Sequence, residues 1–239
     1  MKLKNWVLSF LLISLLIACG NAADETPEAP LDLNRGKSYF FLDEGKYREY
    51  NVYEIRYFAV DISDTLEYQL REVVGEAFAN QNGQISHFIN RYVRDNATQP
   101  WELDSVWTAR IEGDKAISVE NNVPLVKMTF PADTTRRWDG NLLNSKDPNI
   151  RKFVNFNSTF TVGLNTFLRT AEVEISKDED GITFRDIRRE VYRDSIGLIY
   201  KMYNKVKLCS RAECLGQQLV ESGRFYREEL TAHGYIDED

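Results

Sequence analysis

This sequence contains few histidines and cysteines and has no excess of basic residues. Its 239 residues include two histidines and three cysteines, and 37 acidic side chains outnumber 30 basic ones, which gives a net charge of −7. Nucleic-acid binding needs a basic surface, and electrostatic docking onto anionic lipid needs clusters of lysine and arginine. The excess of acidic over basic side chains therefore predicts that nucleic acid is not a partner. It also predicts that charge alone does not hold the protein at a membrane.

Catalytic and cofactor-binding motifs are absent as well. The chain has no Gly-x-Ser-x-Gly elbow, no phosphate loop, no His-Glu-x-x-His helix and no acidic calcium loop. His87 shares an alternating segment with Ile85 and Ile89, and His233 lies near the end of the chain. A catalytic histidine also needs a nucleophile and an orienting acid, and the sequence places neither beside these two. We predict that the protein is not an enzyme and that it holds no cofactor or metal.

What the chain does have is an export signal at its start. Lys2 and Lys4 precede an apolar run from Trp6 to Ile17, which ends in Leu16-Ile17-Ala18-Cys19. This order is typical of a signal peptide over residues 1–18 rather than of a bilayer span. The last four residues resemble a bacterial lipobox, which implies that the thiol of Cys19 is acylated and anchors the mature protein to a membrane. Loss of two lysines with the signal takes the net charge from −7 to −9.

The segment after Cys19 has little to bury. Residues 20–36 are small, acidic and interrupted by proline. We therefore predict a lipidated flexible tether over residues 19–36, a single β-rich domain over 37–235 and an acidic tail over 236–239. Fully extended at about 3.3 Å per residue, such a tether reaches up to about 55 Å from the bilayer.

Cys209 and Cys214 remain once Cys19 carries lipid, and their spacing is C-x4-C. In an oxidising compartment a disulfide is the expected state. Free thiols are one alternative. A metal pair is the other, but it needs two further ligands, and the chain offers only His87 and His233 as soft partners.

Most of the remaining sequence alternates between apolar and polar residues, which is typical of half-buried strands. We predict an all-β, mainly antiparallel fold, either a strongly bent sheet or an open β-barrel, with a two-sheet β-sandwich as the alternative. Helix is expected only around Ala212 to Glu221, although the residue types of Leu66 to Phe78 also suit a helix. The predicted strands are Tyr50–Val60, Leu66–Phe78, Ile85–Arg94, Trp101–Arg110, Ala116–Glu120, Leu125–Phe130, Val154–Val162, Phe167–Ile175, Ile182–Tyr192, Leu198–Val206 and Arg224–Leu230.

Aromatic residues are abundant, with 13 Phe, 12 Tyr and 4 Trp. Trp101, Trp107 and Trp138 are candidates for lining a ligand groove, since wide aromatic surfaces on a sheet form such sites. The same side chains also suit a core between the sheet and its covering loops.

Three segments have turn and strand patterns that belong together: Tyr39–Val52; Phe160–Phe167, followed by Val173; and Glu190–Lys201. They resemble segments of uncharacterised lipoproteins of Bacteroidota, which usually have proline and tryptophan in place of Phe41 and Arg48. These segments describe turns and strand edges, so the resemblance implies a β-rich extracytoplasmic lipoprotein and no catalytic activity.

Together these observations predict a membrane-anchored lipoprotein that acts as a non-catalytic binding or structural module in the bacterial cell envelope. Gly20 rather than Asp after Cys19 favours the outer membrane, on its periplasmic or cell-surface face. The expected partners are the membrane, through the lipid anchor, and an envelope protein, glycan or lipid ligand. The alternatives are an envelope hydrolase with a non-obvious site and a carrier of lipid or lipoprotein with an apolar cavity.

Overall fold

The computed structural model describes residues 32–79, 81 and 83–236. These residues form one antiparallel sheet of twelve strands, preceded by one turn of 3-10 helix, Lys37–Tyr39. The predicted all-β class is confirmed, and the sheet is single rather than split into a sandwich. The strands are β1 Lys46–Ala59, β2 Ile62–Ala79, β3 Ile85–Arg94, β4 Glu102–Glu112, β5 Lys115–Glu120, β6 Val123–Thr129, β7 Arg137–Asp139, β8 Ile150–Val162, β9 Asn165–Glu179, β10 Phe184–Arg193, β11 Gly197–Leu208 and β12 Val220–Tyr235.

The sheet curls until its two edges nearly meet. Neighbours in sequence are neighbours in space, except that β1 pairs with β12 at the centre, which leaves β6 and β7 as the edges. The amide of Val126 on β6 donates to the carbonyl of Gly140, just after β7, at 2.9 Å. The indole of Trp138 donates to the carbonyl of Val126 at 3.1 Å. Because these bonds satisfy part of both edges, the sheet forms a nearly closed barrel.

The two ends of the sheet are distinguished by where the described chain begins and finishes. We call the end where β1 begins and β12 finishes the proximal end, since Lys46 lies directly opposite Tyr235 there. The opposite end, with the β1–β2 turn between Ala59 and Ile62, is the distal end. The described chain therefore enters and leaves at the proximal end.

Residues 32–45 pack across the proximal end. The carbonyl of Arg35 accepts from the Ala132 amide at 2.7 Å, and its guanidinium binds Asp133 at 2.8 Å. The carbonyl of Ser38 accepts from Ser195 at 3.0 Å. Arg35, which the sequence assigns to the tether, is thus hydrogen-bonded to the domain. Residues 1–31, with Cys19, and 237–239 lie outside the described residues.

The hairpin of β8 and β9 bends within its length. Asn157 and Arg169 have φ values of 53° and 54°, and the pairing of the two strands shifts register three times. As a result Phe156 packs on Tyr39, with ring centroids 5.4 Å apart, while Phe160 packs on Tyr200 at 5.3 Å. The strand predicted over Val154–Val162 is confirmed, but its apolar face serves two different hydrophobic clusters.

Leu66–Phe78 is a strand, within β2, whereas residues 212–221 are not a helix. The structure describes all of 212–221 and shows turns followed by the first residues of β12. Leu215 is exposed, so the expected apolar helix face has nothing to pack on. Cys209 and Cys214 are bonded to each other and close this loop, as predicted, with Cα atoms 5.8 Å apart. Within the described part of the chain, no helix has the length and apolarity needed to cross a bilayer.

Candidate functional site

The interior of the sheet holds an unusual number of buried charges. Glu190 is fully buried and Glu228 is 1% exposed, and the buried cations include Lys127 and Arg48. We call the group of buried charged residues that are linked here by ion pairs or by electrostatic interaction the interior charged cluster. Its members are Arg48, Glu72, Arg91, Glu120, Lys127, Arg151, Glu190, Lys201 and Glu228.

Glu190 on β10 is the most heavily bonded member. Its carboxylate accepts from Lys127 at 2.8 Å, from the Tyr203 hydroxyl at 2.7 Å and from the Tyr192 hydroxyl at 2.5 Å. Burial alone raises the pKa of Glu190, but Lys127, Lys201 and Arg151 outweigh it and hold the pKa far below its usual value. Glu190 is therefore ionised, and its pair with Lys127 ties edge strand β6 to β10 across the interior.

A second chain of charges runs over β1, β2, β3 and β12. Glu72 lies between two guanidinium groups, with Arg48 at 3.5 Å and Arg91 at 3.1 Å. Arg91 also approaches Glu228 at 3.6 Å, and Glu228 accepts a short hydrogen bond from the Tyr226 hydroxyl. Burial lowers the pKa of Arg91, but Glu72 and Glu228 more than offset this and raise it above its ordinary value. Both carboxylates thus have cationic partners, which is the condition for keeping buried charge.

A small cavity lies between these two groups. Its volume is about 70 Å³, and three cations and two carboxylates line it: Arg48, Lys127, Lys201, Glu72 and Glu120. Residues 39–42 and the indole of Trp107 also line it. Arg91 stacks on that indole, with its guanidinium carbon 3.7 Å from the ring centroid.

Gly197 sets the position of Arg48 beside this cavity. It has a φ of +98°, and a Cβ added there would come within 2.5 Å of the Arg48 Nη1 atom. That nitrogen donates to the carbonyl of Ile196 at 3.2 Å. A glycine in the turn between β10 and β11 therefore leaves room for the guanidinium group.

We expect Gly197→Ala to destabilise the fold by about 2–3 kcal/mol, because it adds a clash with Arg48 to the cost of a left-handed conformation. Gly113→Ala is the matched control: its φ is +59°, and nothing lies within 4 Å of its added Cβ. The control isolates the backbone cost, for which we expect about 1 kcal/mol. Urea unfolding of both variants measures the difference, and equal losses would contradict the contact with Arg48.

The three tryptophans predicted as groove residues lie in different surroundings. Trp138 is buried against Phe153, with ring centroids 5.0 Å apart, and belongs to the core. Trp107 packs beside the interior cluster. Trp101 lies on the outer face, under the guanidinium groups of Arg71 and Arg94 at 4.5 and 4.1 Å. Trp107 and Trp138 therefore face the interior and Trp101 faces outward, so the three side chains do not share one surface.

The histidines and cysteines are also separate from one another. His87 lies opposite Ala77 and Ala109 on neighbouring strands, and its Nδ1 atom is buried without a hydrogen-bond partner. His233 lies near the end of β12 with part of its ring accessible, and its partial burial, followed by the charges of Lys46 and Arg193, lowers its pKa. Among the residues that the structure describes, no three His, Cys, Asp or Glu side chains are grouped to hold a metal ion.

Comparison with known proteins gives solved structures only. No protein-family profile matches the sequence, and no curated protein matches it. One similar structure is a candidate exported protein with a YmcC-like fold from Bacteroides fragilis NCTC 9343, with 14% identity over 82% of this chain and 98% of that one and a TM-score of 0.45. Another is a candidate lipoprotein from Parabacteroides distasonis ATCC 8503, with 9% identity, the same coverage of each chain and a TM-score of 0.41. Scores this low assign no family.

Proposed function

We propose that this protein is a lipid-anchored component of the bacterial outer membrane and that it acts as a non-catalytic binding or structural module. The anchor is Cys19, the residue that follows the predicted signal peptide. The β domain then works on the outside of its sheet, through contacts with other envelope proteins. Glycans and lipids are the alternative ligands.

The observation that carries this proposal is the filled interior. The cavity inside the sheet measures about 70 Å³, whereas pockets for small organic ligands usually have about 300–1,000 Å³. Trp138 and Phe153 fill one part of the interior, and paired charges fill another. This packing supports contacts at the surface and gives no support to a carrier that takes up an acyl chain.

A non-catalytic role is supported by how the polar side chains are used. Glu190 and Glu72 each bind two or more donors within the fold, so their lone pairs are committed to structural contacts. His87 contacts neither an acid nor a hydroxyl through a hydrogen bond within the described chain. A hydrolase would need such a partner to activate a nucleophile.

The distal end is the surface that we assign to partner contacts. The described chain enters at the proximal end, and the distal turns lie at the opposite end of the sheet. Those turns expose large apolar side chains, which are common at protein contact sites when they occur together. They are Phe58, Ile62, Leu142, Leu143, Ile182 and Leu215.

Site-specific photocrosslinking in intact cells tests this assignment. A benzophenone amino acid replaces Leu215 or Ile182 at the distal end, and Val106 on the outer side of β4 serves as the control, since its exposure is similar. We expect the two distal positions to give the same discrete protein adduct and Val106 to give none. Equal labelling from all three positions, or adducts with glycan or lipid only, would contradict a protein-binding distal end.

The anchor is tested separately with Cys19→Ser. We expect the wild-type protein to fractionate with the outer membrane and to carry a diacylglyceryl modification by mass spectrometry. The variant cannot be acylated at this position, so we expect it to lose the lipid and to leave the outer-membrane fraction. An unmodified amino terminus in the wild-type protein would refute the anchor, whatever the crosslinking shows.

A further inference from the structure

We propose that the interior cavity is a binding site for a small inorganic anion, the size of a halide or nitrate, held by Arg48, Lys201 and Trp107. The inference concerns the inside of the sheet and does not depend on the lipid anchor or on the distal end.

The polar atoms without partners around the cavity are hydrogen-bond donors. Arg48 is 94% buried, since its exposure is 6%, and its Nε atom has no hydrogen-bond partner. The Nε1 atom of Trp107 is also buried without a partner. Lys201 is 8% exposed, and within the described part of the chain its Nζ atom has no hydrogen bond. This atom lies 4.9 Å from the Tyr203 ring centroid and 5.7 Å from that of Tyr226, and its charge also acts on Glu190 and Glu120. Each unmet donor of this kind costs free energy until something accepts from it.

The carboxylates that line the cavity already accept hydrogen bonds from other side chains. Glu72 accepts from Arg48 and Arg91, and Glu120 accepts from Lys127. A halide or nitrate ion accepts hydrogen bonds from several donors at once and has no hydrogen atoms that need an acceptor. Water has two hydrogens that need acceptors. The surplus of free donors over free acceptors therefore favours an anion over water in this cavity.

The net charge of the interior charged cluster also favours an anion. The interior charged cluster contains five cations, Arg48, Arg91, Lys127, Arg151 and Lys201, and four carboxylates, Glu72, Glu120, Glu190 and Glu228. Burial alone raises the pKa of Glu120, but Lys127 and Lys201 hold it below its usual value, so this carboxylate is charged too. Within this cluster the cations exceed the carboxylates by one, and a monovalent anion would balance that charge.

The size of the cavity restricts the anion. A volume of about 70 Å³ exceeds the about 10–15 Å³ that one water molecule needs and lies below the about 300–1,000 Å³ of pockets that hold organic ligands. A halide or nitrate therefore suits this space better than a sugar acid or a phosphorylated metabolite. Residues 39–42 line the site, and the carbonyl of Phe41 accepts from Arg48 at 3.5 Å, so this segment contacts a binding side chain directly.

Crystals of the purified protein grown in sodium bromide test the site itself. We expect an anomalous peak from bromide in the cavity, within hydrogen-bond distance of Arg48 or Lys201. Density for water alone in the cavity, or bromide peaks confined to the outer surface, would overturn the proposal.

Thermal unfolding in solution tests the same site by size and by charge. At about 0.1 M salt and matched ionic strength, we expect chloride, bromide and nitrate to raise the Tm by about 5 °C over gluconate, which is too large to enter. Lys201→Met should lose this difference, because methionine keeps the shape of the stem without the charge. Lys205→Met, on the same strand but with a side chain 69% exposed, should keep it. Equal Tm values in chloride and gluconate for the wild-type protein would overturn the proposal as well.

Discussion

Glu190→Gln is expected to destabilise the protein by about 3–5 kcal/mol, because it removes one partner of a buried ion pair and leaves the other charged. Lys127 keeps Glu120 at 2.9 Å but loses its bond to Glu190 at 2.8 Å, and Lys201 loses the nearest negative charge on the facing strand. For a domain of this size the change lowers the Tm by about 10 °C. Urea unfolding, followed by tryptophan fluorescence, measures the free energy of unfolding.

Glu179→Gln is the matched control, since it makes the same chemical change in an exposed pair. Glu179 binds Arg185 at 2.9 Å with its side chain 40% exposed, and such pairs contribute at most about 1 kcal/mol. Comparable losses from the two substitutions would show that the pair at Glu190 is no more important than a surface contact.

The pH dependence of stability in the wild-type protein and in Glu190→Gln provides a second test of whether Glu190 is ionised. Its pKa is lowered in the folded state, so the unfolded chain takes up a proton at about pH 4.5 that the folded protein does not. The stability that Glu190 provides is therefore complete above this pH and is lost as the pH falls below it. We expect the wild-type protein to lose stability more steeply than Glu190→Gln between about pH 5 and pH 3. Parallel acid profiles would contradict an ionised Glu190.

Alternation of apolar and polar residues was enough to predict most strands, because a half-buried strand has a period of two wherever it lies. It was not enough for β7, which has three residues and therefore no period to detect. The bend in the β8–β9 hairpin was also missed. Its two left-handed residues are Asn157 and Arg169, and arginine gives no turn signal in a sequence.

The interior charged cluster could not be predicted from local pattern. Arg185, Arg188 and Arg189 lie near Glu190 in the sequence, and a run of mixed charges is typical of solvated strand faces. The arginines form ion pairs with acids on the same or the neighbouring strand, Arg188 with Asp186 and Arg189 with Glu172. Glu190 differs because closure of the sheet brings Lys127, 63 residues away, against it. The face of a strand that becomes interior is decided by that closure and not by residue type.

The end of the tether illustrates the same limit. Residues 32–36 have the composition of a linker, and nothing local distinguishes Arg35 from a solvated arginine. Its partners, the Ala132 carbonyl and Asp133, lie almost one hundred residues away, in the loop after β6. The aromatic residues were ambiguous for a related reason, because groove and core use the same side chains.

The loss of unfolding free energy in Trp138→Ala distinguishes a core position of Trp138 from a groove position. We expect a loss of about 3–5 kcal/mol, since the indole fills a buried space beside Phe153 and its removal leaves a cavity. Its hydrogen bond to Val126 also helps to join the two sheet edges. The amide of Val126, bonded to Gly140, should therefore exchange with solvent faster in the variant. Urea unfolding and hydrogen exchange measure the two effects.

Trp101→Ala is the control, because it deletes the same side chain from the outer face. There the indole is held mainly by cation–π contacts with Arg71 and Arg94, at about 0.5–1 kcal/mol each, so we expect a loss of about 1–2 kcal/mol. Exchange at Val126 should be unchanged in this variant. If Trp138 instead lined an open groove, its truncation would cost no more than that of Trp101 and would leave the Val126 amide protected. A larger loss at Trp138 together with faster exchange at Val126 is the pair of results that a closed, filled sheet requires.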